Sequence, residues 1–388
     1  MRRVAAAIAG VLSVPCLHSW AAAQQQDTGG QLLSGLELRP TIAVTGGFDS
    51  NPQEEADGEG SPFARLDLGL RATLGEEDGT QAILELEGIL IEFLDSEEER
   101  QHEYTAEFEL AHQVDEDLRL SAGLLHEGEN LTDPPTRFTE AWSRVEAEVG
   151  RFEIDLRGRV NEYRELVDRA EIVEDDLEVF DFRSAAAELR TTFDTGRSFE
   201  PLLRARVTGF DYLEQRPGKP NRDAVEYSMM AGVEVEPADD LQIEAGLRRT
   251  ERFFDEPGAG SYARIGPDVR VTWDPNDRLS LSASYGHYFG EPTFEEVLVL
   301  DTTFLEVDAS WQASERLRLT GGAVLSEEEE VGTGVRNVEW EAHADARWLL
   351  RERLYLLAAA RVAREVPGDP DADGFRRTIV RAGLESTF

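Results

Sequence analysis

Apolar and polar residues alternate one for one along most of this chain. In the stretch Phe375–Phe388, Thr378, Val380, Ala382, Leu384 and Ser386 share one face, which ends at Phe388. Arg377, Ile379, Arg381, Gly383 and Glu385 share the other. Side chains of a β-strand alternate faces with period two, so this is a strand with one apolar and one largely polar face. The same rhythm recurs upstream. Leu36, Leu38, Pro40, Ile42 and Val44 open a first strand that runs to Phe48. A second runs from Phe63 to Leu74. Ala82, Leu84, Leu86, Gly88 and Leu90 then alternate with Glu85 and Glu87. Tyr104, Ala106, Phe108 and Leu110 alternate with Glu107 and Glu109, and Val145, Ala147 and Val149 with Glu146 and Glu148. Phe152 to Val160 alternates with Arg157 and Arg159, and Val338 to Trp348 with Glu339, Glu341, His343 and Asp345. Strands of roughly 9–11 residues that carry charge on one face only suit a tilted membrane strand.

The connections alternate too. Short turns are expected at 75–80, 115–117, 150, 194–200, 237–240, 274–277, 312–315 and 350–352. Between them lie longer polar loops at 49–62, 95–101, 129–137, 166–178, 214–223, 255–261, 290–296, 326–336 and 364–374. Short turns at one end and long loops at the other are the pattern of an outer-membrane barrel. The reading is an all-β fold: a transmembrane antiparallel up-and-down barrel of about eighteen strands, with sixteen as the alternative count. Both ends of the barrel then fall on the short-turn side. Soluble alternatives are a β-sandwich, which also has one wet face, and a propeller, which would repeat every ~40 residues; no shared motif of that kind appears. Trp273, Trp311, Trp340 and Trp348 fall near strand ends on the apolar face, where an interfacial girdle belongs.

Residues 1–23 read as a signal peptide: Arg2 and Arg3, an apolar stretch from Val4 to Val14, and Ala21–Ala23 as the cleavage site. Residues 24–35 read as a short periplasmic lead, and 36–388 as the barrel. Such a lead is too short for a plug domain, which argues against a TonB-dependent transporter. The one cysteine, Cys16, lies in the signal; Ser13 and Pro15 do not fit a lipoprotein signal around it. The mature chain then has no thiol and no disulfide.

The chain has 388 residues and a formal net charge of −40, with Lys219 its one lysine. That charge excludes nucleic acid as a partner, since phosphate contacts need basic residues. Mean hydropathy is −0.42, and no apolar run of ~20 residues follows the signal, so spanning helices are excluded. A barrel needs only alternate residues to face lipid.

The polar face supplies the candidate channel lining: Glu85, Glu87, Glu107, Glu109, Glu146, Glu148, Arg157, Arg159, Arg204, Arg206, Arg316 and Arg318. Acidic and basic walls of this kind set a field across a water-filled lumen, and the acid excess points to mild cation preference. The plainer alternative is interior ion pairing that closes the barrel. No enzyme is expected. Ser284 and His287 are the nearest nucleophile–base pair, and at a spacing of three they face opposite ways in a strand. The remaining histidines show no metal-ligand spacing, so neither metal nor cofactor is expected. The acidic runs Glu97–Glu99 and Glu327–Glu330 lack the spacing of a calcium loop and read as solvated loops.

The final strand, ending on Phe388, resembles the closing strand of bacterial outer-membrane barrels; the resemblance implies that Phe388 is the membrane-insertion signal read by the barrel-insertion machinery. The stretch TGGFDSNP at 45–52 resembles the opening of the putative β-barrel porin 2 family, through Phe48, Asp49, Asn51 and Pro52. That resemblance implies a porin-like barrel in the outer membrane, in contact with its lipid. It also implies a link to exopolysaccharide export, with separate polysaccharide-synthesis or export proteins as partners. The acidity of this chain departs from what a polyanionic cargo would need. General diffusion of polar solutes and a plugged structural or adhesive barrel are the alternatives.

Overall fold

In a computed structural model the chain folds into eighteen antiparallel strands that close on themselves. Residues 35–388 are described, except 53–57, 77, 95–99, 131–134, 166–180, 214–220, 257, 292–296 and 369–373. The signal peptide, the lead up to 34 and the run Glu97–Glu99 lie outside the described residues. The strands are β1 Leu36–Asp49, β2 Ser61–Gly75, β3 Thr80–Phe93, β4 Gln101–Asp115, β5 Leu118–Glu129, β6 Thr136–Val149, β7 Phe152–Glu165, β8 Phe182–Phe193 and β9 Phe199–Tyr212. They continue as β10 Ala224–Ala238, β11 Leu241–Phe254, β12 Ser261–Asn276, β13 Leu279–Gly290, β14 Leu300–Ser314, β15 Leu317–Glu330, β16 Arg336–Arg351, β17 Leu354–Val366 and β18 Arg376–Thr387. Each strand pairs with the next, and β1 also pairs with β18, which closes the sheet into a barrel.

Turn chemistry sets the short end. In four turns a side-chain oxygen at a strand's end accepts the backbone N–H two residues on. These are Asp115 to Asp117, Asp194 to Gly196, Asn276 to Arg278 and Ser314 to Arg316. Gly75 sits at φ 93°, and a Cβ there would stand 2.0 Å from the Thr80 carbonyl oxygen, so the β2–β3 turn admits no side chain. The loop expected at 326–336 is shorter than its composition suggested. Glu327–Glu330 continue β15, paired with Leu300–Thr303 of β14.

The two faces are told apart by reach. Ion pairs join strands two apart: Arg204 of β9 to Glu244 of β11 at 2.9 Å, and Arg347 of β16 to Glu385 of β18 at 2.5 Å. Side chains from such strands converge only on the concave side, so these residues face inward. The opposite face carries the exposed apolar residues, among them Val44, Leu68, Leu124, Val160, Met229, Val380 and Leu384. Trp273, Trp311 and Trp348 lie exposed on that face near the short-turn ends of their strands, and Trp340 lies on it near the long-loop end. An apolar band flanked by aromatics is the lipid face of a membrane barrel.

Candidate channel lining

The closing seam is built by the stretch that opened the chain's first loop. β1 and β18 pair from Thr41↔Thr387 to Asp49↔Ile379. At the long-loop end Asp49, 1% exposed, accepts from Arg377 Nε (2.9 Å) and Nη2 (2.6 Å), and from the Asn51 N–H. Ser50 exchanges backbone and side-chain bonds with Thr378, and Asn51 Nδ2 donates to the Arg376 carbonyl. At the other end the Phe388 N–H donates to Pro40, with the Phe388 ring exposed on the outer face. Gly47 and Gly383 allow this approach: a Cβ at either would stand 2.2 Å or less from a backbone oxygen of the facing strand.

On the inner faces of β3, β4 and β5 stand Glu85, Glu87, Glu103, Glu107, Glu109, Glu127 and Glu129, against a single arginine, Arg119. Glu85 lies directly opposite Glu107, and Glu103 opposite Glu129. Like charges facing each other across a ladder repel, and low-dielectric surroundings would magnify that. Excess acid therefore concentrates on this wall, seven inward glutamates to one arginine. Arg71 of β2 pairs with Glu85 and softens one end of the arc.

The wall from β6 to β12 is different. Arg144 and Arg157 both grip Asp155, at 2.9 and 2.6 Å; Glu146 pairs with Arg144, and Glu148 lies exposed near the turn. Arg190 pairs with Glu234, Arg204 with Glu244, and Arg248 with Asp268. Arg206 donates to Thr208. Among the described residues Arg159, Arg206 and Arg270 make no ion pair. The paired groups line a cavity of about 350 Å³ between Arg144, Glu188, Arg204, Glu244, Arg270 and Thr272. The lumen thus has an acidic wall and, beginning at the very next strand, a wall of ion-paired and surplus arginines.

The expected lining residues of β3, β4, β6, β7 and β9 all stand on the inner face, as does Arg318, which donates to Ser310. Arg316 does not. It sits exposed in the β14–β15 turn, because the ladder resumes only at Leu317. Period-two phase cannot separate the last turn residue from the first strand residue. Ser284 and His287 are not brought together. Ser284 donates to Glu306, while His287 packs over Gly266.

Several inward groups were invisible to charge reading. Phe138, Tyr163, Phe182 and Tyr212 stand opposite one another on successive strands at the long-loop end. Tyr163 and Phe182 stack at 5.5 Å, and Phe182 meets Tyr212 at 5.7 Å. Trp142 also points inward, over Gly123. The signal was present: each aromatic occupies a polar-phase position.

A family model described as putative β-barrel porin 2 matches residues 28–388. No curated protein matches the sequence. Among solved structures, OccK2 (OpdF) of Pseudomonas aeruginosa in complex with glucuronate is similar at TM-score 0.50 and 12% identity, over 92% of this chain and 98% of that one. OccAB3 of Acinetobacter baumannii is similar at 0.48 and 10%, over 92% and 100%. The siderophore receptor PirA of Pseudomonas aeruginosa follows at 0.46 and 11%, over 90% and 80%. At 12% identity the OccK2 likeness is one of fold.

Proposed function

The chain belongs to the putative β-barrel porin 2 family, and from that premise we propose that it is a non-enzymatic outer-membrane channel passing polar solutes, with mild preference for cations. The observation that carries the reading is the acidic wall of β3–β5, where seven inward glutamates stand against one arginine and favour a hydrated, cation-attracting lumen. With the arginines of β7–β12 further round the barrel, it makes the field across the lumen uneven. Long loops would face the exterior and short turns the periplasm, with Phe388 serving the insertion machinery. The test is planar-bilayer conductance of the purified barrel under a salt gradient. Cation-selective reversal is expected, and it weakens when Glu107 and Glu109 become glutamine. Clear anion preference would overturn the selectivity, and absence of conductance in every preparation would leave a plugged structural or adhesive barrel. A hydrolase assay on phospholipid and lipid A checks the non-enzymatic part; turnover would refute it.

The aromatic arc Phe138–Tyr163–Phe182 favours a second reading, export of an exopolysaccharide; Tyr212 beside it is buried under Arg222. Flat rings at a channel mouth offer apolar faces to the C–H faces of sugar rings, and the adjacent carboxylates accept from hydroxyls. Partner synthesis or export proteins would deliver such a chain. Oligosaccharides that block current in the native barrel, and not in the Tyr163→Ala, Phe182→Ala variant, would support it. Sugar-indifferent current would count against it.

A further inference from the structure

The ladder between β12 and β13 stops halfway. It runs from Asn276↔Leu279 to Val269↔Tyr285, although both strands continue toward the long-loop end. Beyond it, His287 and Phe289 of β13 and Asp301 and Thr303 of β14 keep the phase of Tyr285 and Leu305, which are exposed on the outer face. These four are covered instead, and what covers them is the inner face of β12. His287 Nδ1 lies 2.8 Å from where a Cβ on Gly266 would stand. Phe289 meets the Tyr262 ring at 5.2 Å. Tyr262 donates to Asp301 at 2.9 Å, and Arg264 pairs with Asp301 and donates to Thr303. The upper strand segments of the β13–β14 hairpin, residues 286–290 and 300–304, therefore overlap β12 on the lumen side, as in a lapped joint.

Two consequences follow. The hairpin roofs the β9–β12 wall. Arg252 of β11, 1% exposed, donates to the Phe289 carbonyl at 3.2 Å, to Glu226 at 2.9 Å, and pairs with Glu291 at 2.8 Å. Tyr212 of β9 donates to Glu291 as well. And the edge of β12 from Ser261 to Asp268 has no ladder partner toward β13, in a wall where an unpaired edge at membrane depth is costly. The sequence accommodates the overlap: Gly266 leaves room for the imidazole, and Pro267 has no N–H to offer a ladder.

We propose that the upper strand segments of this hairpin, residues 286–291 and 300–304, are a gate. Latched by Arg252–Glu291 and Arg264–Asp301 they narrow the lumen. Swung outward they extend the β12 ladder in the register Val269↔Tyr285 already sets, with Pro267 offering only its carbonyl opposite His287 and Ile265 opposite Phe289. The closed state holds ion pairs and the open state gains ladder bonds, so two discrete arrangements compete. The proposal rests on the reading of the lumen as a conducting path.

Two engineered disulfides separate the states. Gly266→Cys with His287→Cys bridges only the overlapped state. Ile265→Cys with Phe289→Cys bridges only the zipped one, because Ile265 now faces outward on the far side of β12 from Phe289. Bridging is read by non-reducing gel mobility of folded, heat-shiftable barrels, and current by bilayer recording. Both bridges are expected to form. The first lowers conductance several-fold until reductant is added; the second raises it. Arg252→Ala or Arg264→Gln shifts bridging toward the second pair. Failure of the second pair to bridge in every background, or equal conductance with the first bridge closed and reduced, overturns the gate. Absence of current throughout, with both bridges forming, counts against the channel reading and not against the hairpin's movement.

Discussion

Replacing Asp49 by alanine tests the closing seam at its tightest point. The Asp49 carboxylate takes two hydrogen bonds from Arg377, at 2.6 and 2.9 Å, and one from the Asn51 N–H at 3.0 Å. Hydrogen bonds to charged groups contribute about 1.5–3 kcal/mol each, and breaking a buried pair by deleting one partner costs about 3–5 kcal/mol. The Arg377 side chain is 20% exposed and keeps other contacts, so solvent offsets part of that cost. A loss of about 2–4 kcal/mol is expected. Asp49→Asn, which keeps an acceptor for the Asn51 N–H, should lose about half as much. The assay is urea unfolding from lipid vesicles, followed by tryptophan fluorescence and by heat-shifted gel mobility. A double-mutant cycle with Arg377→Ala should give a coupling of about 1–3 kcal/mol. A loss below about 0.5 kcal/mol, or strict additivity of the two replacements, would refute the latch.

The two faces of β18 make a sharper pair than any single site. Val380→Arg puts a charge on the lipid face and should cost about 2–4 kcal/mol near the membrane centre, whereas the inward Ile379→Arg should cost under about 1 kcal/mol by the same unfolding assay. Equal costs would mean the faces are misassigned. Gly123→Ala brings a Cβ to 2.5 Å from the Trp142 ring, so the indole must shift; a changed near-ultraviolet circular dichroism band and a loss of about 1–3 kcal/mol are expected. An unchanged band would show that Trp142 does not pack there. Neutralising Glu107 and Glu109 together should move the reversal potential toward zero, since both line the acidic wall.

Facing was legible in the sequence because a membrane barrel has only two environments and a strand has only two faces. Val380 and Leu384 point outward and Arg377, Arg381 and Glu385 inward, as the alternation of Phe375–Phe388 predicts. Number and order of strands followed from turn residues such as those at 115–117 and 274–277. What escaped lies where the lipid no longer dictates the pattern. Glu327–Glu330 read as loop because acid is unexpected in a strand, yet above the apolar band a strand can carry charge on either face. Asp49 and Asn51 read as turn formers, and their partners lie more than 300 residues away, beyond any local pattern. The lapped joint was hidden for the opposite reason: His287 and Phe289 keep perfect strand phase, and only the third dimension shows that the strand has crossed behind its neighbour.

The seam between β1 and β18 has a consequence for assembly order. Every other ladder joins strands that are neighbours in the chain, but this one joins residues whose separation reaches 328 at Arg377 and Asp49. Closing so long a loop rather than a hairpin-sized one costs on the order of 3 kcal/mol more in chain entropy, and contacts of such sequence separation form late. Until β18 docks, the protein is an open sheet with two bare edges, each a template for a stranger's strand. The dense bonding at Asp49, Ser50 and Asn51 then forms only when β18 reaches β1 in this one register, so it locks the last step of closure.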